Sequence, residues 1–166
     1  RRLRCVGVHH PAQRRIAPVE SEVGRGVRRG SSRPLHDTTV VEAHEHDVSF
    51  AEAAAKDLRL RFHPTALAVS TDPLLLERVL ANLVANAIRY TRAGGVLVGA
   101  RRRGAQVMLQ VWDTGIGIPE DQRSLIFDEF YQVSNPGRDR RKGLGLGLAI
   151  VRRLTSLLEH PLSLRS

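Results

Sequence analysis

The sequence predicts an α+β protein, a two-layer sandwich with helices over one face of a mixed sheet. Three observations carry this expectation. Residues 76–91 and 146–159 repeat apolar side chains at the helical period. Residues 96–102 and 106–113 alternate at the strand period and are joined by the tight Arg103-Gly104-Ala105 connection. The two kinds of signal follow one another along the chain instead of separating into blocks.

Taken in order, residues 1–47 sustain neither period. VGRGVRRGSSRPLHD is rich in Gly, Arg and Ser, so 1–47 is expected as a linker or disordered segment, open to being non-native to the domain that follows. His9-His10 and His44-Glu45-His46 read as solvated loop, since no second ligand cluster stands at a spacing that would close a zinc site. The pattern sharpens at Val48. VSFAEAAAKDL (48–58) reads as a short helix, LRLRF (58–62) as a strand, and 66–70 as a second short strand. Thr71 or Asp72 can cap the next helix, with Pro73 at its first position. Ala93-Gly94-Gly95 is a turn, and the strand pair 96–102 and 106–113 follows. Residues 119–126 start a short helix, and the polar, breaker-rich 131–142 reads as a mobile loop. After the 146–159 helix, HPLSLRS is the start of a strand cut off by the C-terminus. The folded domain is expected over 48–166.

Bulk properties narrow the function. At 166 residues there is room for one domain plus a tail. No run approaches the ~18 apolar residues of a membrane span, and the basic N-terminus lacks the apolar segment of a secretory signal. The single cysteine, Cys5, excludes an internal disulfide framework and any all-cysteine metal site. These features favour a cytoplasmic location. The net charge of +9 raises nucleic-acid binding, but all basic residues except Lys56 and Lys142 are scattered arginines, and few aromatics could stack on bases. No nucleic acid is expected as a partner. A polyanionic ligand suits the surplus charge.

Four motifs carry chemistry. Asn82 and Asn86 lie four apart on the 76–91 helix, about 40° apart on the wheel, opposite Leu76, Leu80, Leu83, Val84, Ala87 and Ile88. Asparagine is a mediocre helix former, so two stacked amides suggest a face built to hold something polar. Arg89 falls on the same side and Tyr90 at its border. In WDTGIGIPED, Asp113 ends a strand, and Gly115 and Gly117 let backbone pass close to a ligand; taken alone it is also a plain turn. In KGLGLGLAIV, Gly143, Gly145 and Gly147 run into a helix N-terminus, where bare amides and the helix dipole suit phosphate, although a flexible hinge reads the same way. In IFDEFYQ, Phe127 and Phe130 stand three apart on one expected helical turn, a hydrophobic anchor for the loop that follows.

In that order, within about 70 residues, the four motifs resemble the ATP-binding catalytic domain of sensor histidine kinases, in the GHKL superfamily with DNA gyrase, mismatch-repair ATPases and the ninety-kilodalton heat-shock chaperones. NLVANAIRYT and GLGLGLAIV point to the kinase branch. The resemblance covers 48–166 and implies a Bergerat-type ATP-binding fold, here lacking its last strand. It implies that Asn86 binds the magnesium bridging the ATP phosphates, with Asn82 the other asparagine of the same box. Arg89 stands where the family has lysine and would approach the phosphates, and Tyr90 would lie near adenine. Asp113 would accept from the adenine amino group, and Gly115 and Gly117 would let the ring approach. Gly143, Gly145 and Gly147, followed by Leu148, would cradle the phosphates. Residues 127–142, with Phe127, Phe130, Arg138, Arg140, Arg141 and Lys142, would form a lid.

The implied cofactors are ATP and Mg2+. The implied partners are a histidine-containing dimerisation domain, which receives the γ-phosphate, and a response regulator, which receives it next on an aspartate. Residues 1–47 hold no phosphoacceptor motif, so no catalytic histidine is identified and the chain alone is an incomplete histidine kinase. The absence of a membrane segment in this chain leaves open a membrane-bound full-length sensor. Two alternatives remain at this stage. One is another GHKL-type ATPase, which would carry glutamate where Asn82 stands. The other is a nucleotide-binding module without transfer activity.

Overall fold

The computed structural model describes residues 4–11, 38–40, 47–63, 65, 67–133 and 144–166. In chain order the elements are β1 (Arg4–Pro11), β2 (Thr38–Val40), α1 (Asp47–Ala55), β3 (Arg59–Phe62), β4 (Ala68–Ser70), α2 (Pro73–Tyr90), β5 (Gly95–Arg103), β6 (Gln106–Asp113), α3 (Gly147–Leu157) and β7 (Leu162–Arg165). The main sheet runs β3-β5-β6-β1-β7, and β2 and β4 form a separate two-stranded ribbon. β3 is parallel to β5 and all other pairs are antiparallel, so the sheet is mixed as expected. α2 packs on β5 and β6 with α3 beside it, and α1 packs on α2 and β3. The predicted two-layer α+β sandwich is therefore the observed one.

α2 shows how the sequence sets a boundary. Asp72 Oδ1 accepts from the Leu75 amide at 3.0 Å and Pro73 opens the helix. The buried stripe is Leu76, Val79, Leu83, Val84, Ala87 and Ile88, with Leu80 packed only partly against it. Val79, fully buried, was not on the expected stripe. The stripe meets Val96 and Val98 of β5, Val107, Leu109 and Val111 of β6, and Val6 and Val8 of β1 in one core. At the other end Lys56 Nζ donates to the Ile88 and Arg89 carbonyls at 2.9 and 3.0 Å, and Thr91 Oγ1 donates to the Ala87 carbonyl at 2.7 Å. A cation bonded to two terminal carbonyls answers both their unmet acceptor capacity and the negative end of the helix dipole. This tether holds the turn that carries Arg89 and Tyr90.

Three expectations change. Within 1–47, expected as linker, Arg4–Pro11 is a strand in the sheet, antiparallel to β6 on one side and β7 on the other, and Thr38–Val40 pairs with β4. The physical reason is that Val6 and Val8 bury inward, a two-residue alternation too short to register as a period among basic neighbours. The strand begun at HPLSLRS forms as Leu162–Arg165, and its partner is β1. Between β6 and α3 the expected short helix is two 3-10 turns, Glu120–Gln122 and Leu125–Phe127. Phe130 follows at φ +65°, so Phe127 and Phe130 do not share a helical turn.

Candidate functional site

A cleft with an empty volume of about 510 Å³ opens between the C-terminal half of α2 and the N-terminus of α3. α2 contributes Asn86, Arg89 and Tyr90, and the segment after β6 contributes Ile116, Gly117 and Ile118. Ile126, Tyr131, Gln132 and Val133 line it from the following turns, and Gly145, Gly147 and Leu148 close it. Sequence reasoning had thus named seven of the residues on this wall: Asn86, Arg89, Tyr90, Gly117, Gly145, Gly147 and Leu148.

The two helices meet closely at Gly147. A Cβ there would stand 2.8 Å from Asn86 Nδ2 and 3.4 Å from Asn82 Oδ1, so only glycine leaves both amides undisturbed. Asn86 Nδ2 is buried without a hydrogen-bond partner among the described residues. Such a group costs about 1–3 kcal/mol unless something else satisfies it. Asn82 differs: its Nδ2 donates to the Arg78 carbonyl at 2.8 Å, one turn back, and it does not line the cleft. α3 begins after Leu146, which offers no side-chain cap, so no side chain from that position occupies the first-turn amides beside Gly147 and Leu148.

Asp113 ends β6 at 3% exposure, and its Oδ1 accepts from the Gly115 amide at 2.9 Å; neither residue lines the cleft itself. A Cβ on Gly115 would lie 2.5 Å from the Tyr90 carbonyl oxygen, so this glycine brings the loop against the end of α2. Ile116 N donates to that same carbonyl at 3.2 Å. Thr114 Oγ1 accepts from the Gly95 amide and donates to the Ala93 carbonyl, both at 3.0 Å, fixing the strand end to the turn before β5. Phe127 is half-buried and Phe130 is 66% exposed, and neither lines the cleft. Below the cleft mouth Asp128 pairs with Arg152 and Glu129 with Arg153, each at 3.4 Å, which ties the turn to α3. Lys142 and Gly143, with Arg138, Arg140 and Arg141, lie outside the described residues.

Sequence reasoning missed Ile116, Ile118, Ile126, Tyr131, Gln132 and Val133 on the wall. Ile116, 53% exposed, could have been found from its place between the two glycines of the DTGIG motif, where the chain turns away from the core.

The comparison with known proteins decides the family. The sequence model of the histidine kinase-, DNA gyrase B-, and HSP90-like ATPases matches residues 71–166, more than half of the chain. The chain belongs to this ATPase family. Within it, the chain is 36% identical over 111 residues to the sensor histidine kinase AtsR of Burkholderia thailandensis, covering 64% of this chain and 18% of that protein. It is 37% identical over 100 residues to the sensor histidine kinase RcsC of Escherichia coli, covering 60% and 10%. The chain thus spans a minor part of the curated relatives it matches. The nucleotide-free catalytic domain of the histidine kinase ThkA superposes with a TM-score of 0.55 at 28% identity, over 66% of this chain and 70% of that one. Full-length ShkA, solved with AMPPNP, gives 0.54 at 31% identity, over 66% and 23%. The cleft therefore sits in the ATPase catalytic part of a histidine-kinase-type fold, and the family is one that binds ATP.

Proposed function

We propose that this chain is the catalytic domain of a two-component sensor histidine kinase, which holds Mg-ATP in the cleft and presents its γ-phosphate to a histidine on a separate dimerisation domain. One observation carries the reading: the partnerless Asn86 amide faces the uncapped N-terminus of α3 across Gly147. An amide N–H donor beside bare helix-terminal N–H groups suits the oxygens of a phosphate chain better than any apolar ligand.

The donor set fits magnesium. Among the described residues no cluster of three or more His, Cys, Asp or Glu stands ready to cage a metal. A hard cation that keeps its waters and takes most of its charge neutralisation from phosphate oxygens needs only an oxygen ligand such as the Asn86 carbonyl. When bound, the ion neutralises charge on the transferring phosphoryl group. The chain's own residues position the nucleotide. Asp113 accepts from the adenine amino group, Tyr90 and Ile116 border the ring, Arg89 approaches the phosphates, and the amides after Gly145 cradle them. Gly117 leaves room for the base. In this reading Asn82 shares the Asn86 helix, Phe127, Phe130 and Lys142 belong to the lid, and Gly143 to the phosphate cradle. The ATP-binding unit is residues 48–166 together with strand β1, and the phosphate passes afterwards to a response-regulator aspartate.

Calorimetry tests the assignment. Asp113→Asn turns an acceptor into a partial donor and is expected to weaken ATP and ADP binding about ten- to a hundredfold, as the loss of a charge-assisted bond of roughly 1.5–3 kcal/mol. Asn86→Ala is expected to abolish the magnesium dependence of ATP binding. Unchanged affinities in both variants, with folding intact, refute the site. Acid-labile phosphohistidine on an added dimerisation domain tests transfer, and its absence despite tight ATP binding favours a nucleotide-binding module instead. Asn rather than Glu at position 82 speaks against a self-sufficient ATPase.

A further inference from the structure

The face of the sheet turned away from the helices carries a second surface. Leu60, Phe62, Val96, Val98, Val107, Leu109 and Val111 point into the core, so strand alternation turns Arg59, Arg61, Leu97 and Trp112 outward. They line an open groove with an empty volume of about 940 Å³, with Gly95 and Thr114 at its end. The pairing Arg61–Leu97, Leu97–Trp112, Trp112–Cys5 and Cys5–Arg165 carries one row of positions across the whole sheet. The face is open at the β5 end of that row, where Leu97 is 42% exposed, and closed further along β6, where Met108 and Gln110 are buried.

Charge surrounds this opening on one sign only. The outward positions of β3, β5, β6 and β7 hold arginine at 59, 61, 101, 103 and 165 and no carboxylate. All five are exposed, and Arg59 and Arg61 make no side-chain ion pair among the described residues. Unpaired guanidinium groups beside a Trp–Leu floor are the combination that dominates protein interfaces: an apolar anchor is desolvated at the centre and carboxylates take bidentate bonds at the rim. Nucleic acid fits less well, because a stacking platform needs several exposed aromatic rings and among the described residues this face offers Trp112 alone.

We propose that this face docks an acidic protein segment bearing apolar anchor residues, which seats its anchors on Leu97 and Trp112 and its carboxylates on Arg59 and Arg61. The surface lies across β6 from the nucleotide cleft and does not rest on the kinase reading. Docking here leaves that cleft open.

Trp112 is the sole tryptophan of the chain, so its emission reports the floor of the groove directly. The probe is a short acetylated peptide of glutamates interrupted at every third position by leucine or phenylalanine, titrated into the full chain. Saturable binding with a blue shift of Trp112 emission is expected, weakened about tenfold or more by Arg59→Glu with Arg61→Glu, and similarly by Leu97→Asn. Arg61→Gln serves as the milder change should the charge reversal unfold the protein, and it is expected to weaken binding several-fold. ADP affinity and the thermal midpoint should stay at wild-type values in each variant. The proposal is overturned if Trp112 emission ignores the peptide at millimolar concentration, or if the variants bind it as wild type does. It is equally overturned if polyglutamate without anchors binds as tightly, if single-stranded DNA displaces the peptide and binds more tightly, or if the groove proves to be closed by a second copy in sedimentation.

Discussion

Gly147 brings α3 against the Asn86 and Asn82 amides of α2, and it separates two quantities that usually move together. Gly147 is the first residue of α3, where the Ala-over-Gly helix preference of about 0.8–1 kcal/mol in a helix interior is only partly felt, so Gly147→Ala should leave the thermal midpoint close to wild type. The added Cβ would press on Asn86 Nδ2 at 2.8 Å and displace the amide. Nucleotide affinity should then fall about tenfold or more, a loss of roughly 1.4 kcal/mol, with stability intact. Calorimetry paired with a melting curve checks both halves, and a fall in both together would point to simple misfolding. Asn86 and Gly147 were legible in sequence because an amide is a poor choice on an otherwise apolar helix and because three alternating glycines run straight into a helix start. Ile118, Ile126 and Val133 were not, because an apolar residue in a turn looks the same whether it lines a cleft or fills a core.

Among the elements, α2 was the most legible. Its Asp72-Pro73 start and its apolar stripe are local signals, and the structure reproduces both. Its other end was not legible, since Lys56 reaches the Ile88 and Arg89 carbonyls across more than thirty positions of sequence. Lys56→Met keeps most of the stem and removes the charge. It should lower unfolding free energy by about 1 kcal/mol, the scale of a charged partner at a helix C-terminus, and loosen Arg89 and Tyr90 at the cleft. Denaturant titration reads the first effect and amide exchange at residues 88–91 the second. The turns between β6 and α3 escaped prediction for another reason. Glu120–Gln122 and Leu125–Phe127 are 3-10 pieces of three residues each, too short to express a period.

For the molecule as a whole, the class of fold could be read from local periods, but the completion of the sheet could not. β1 joins β6 and β7, and among the described residues β7 pairs with no other strand. Val8 is 1% exposed at that seam, so Val8→Ala should cost about 2 kcal/mol in transfer and cavity terms together. Equilibrium unfolding measures it, and a value near zero would show that β1 contributes little to the native sheet. The Ser163 hydroxyl donates to the Gly7 carbonyl across 156 positions. During translation, therefore, β1 emerges well before β6 and waits for it, and β7 has nowhere to lie until both have joined. Closing so long a loop is slow, and a nascent chain in that interval offers a bare strand edge to chaperones and to its neighbours on the same polysome.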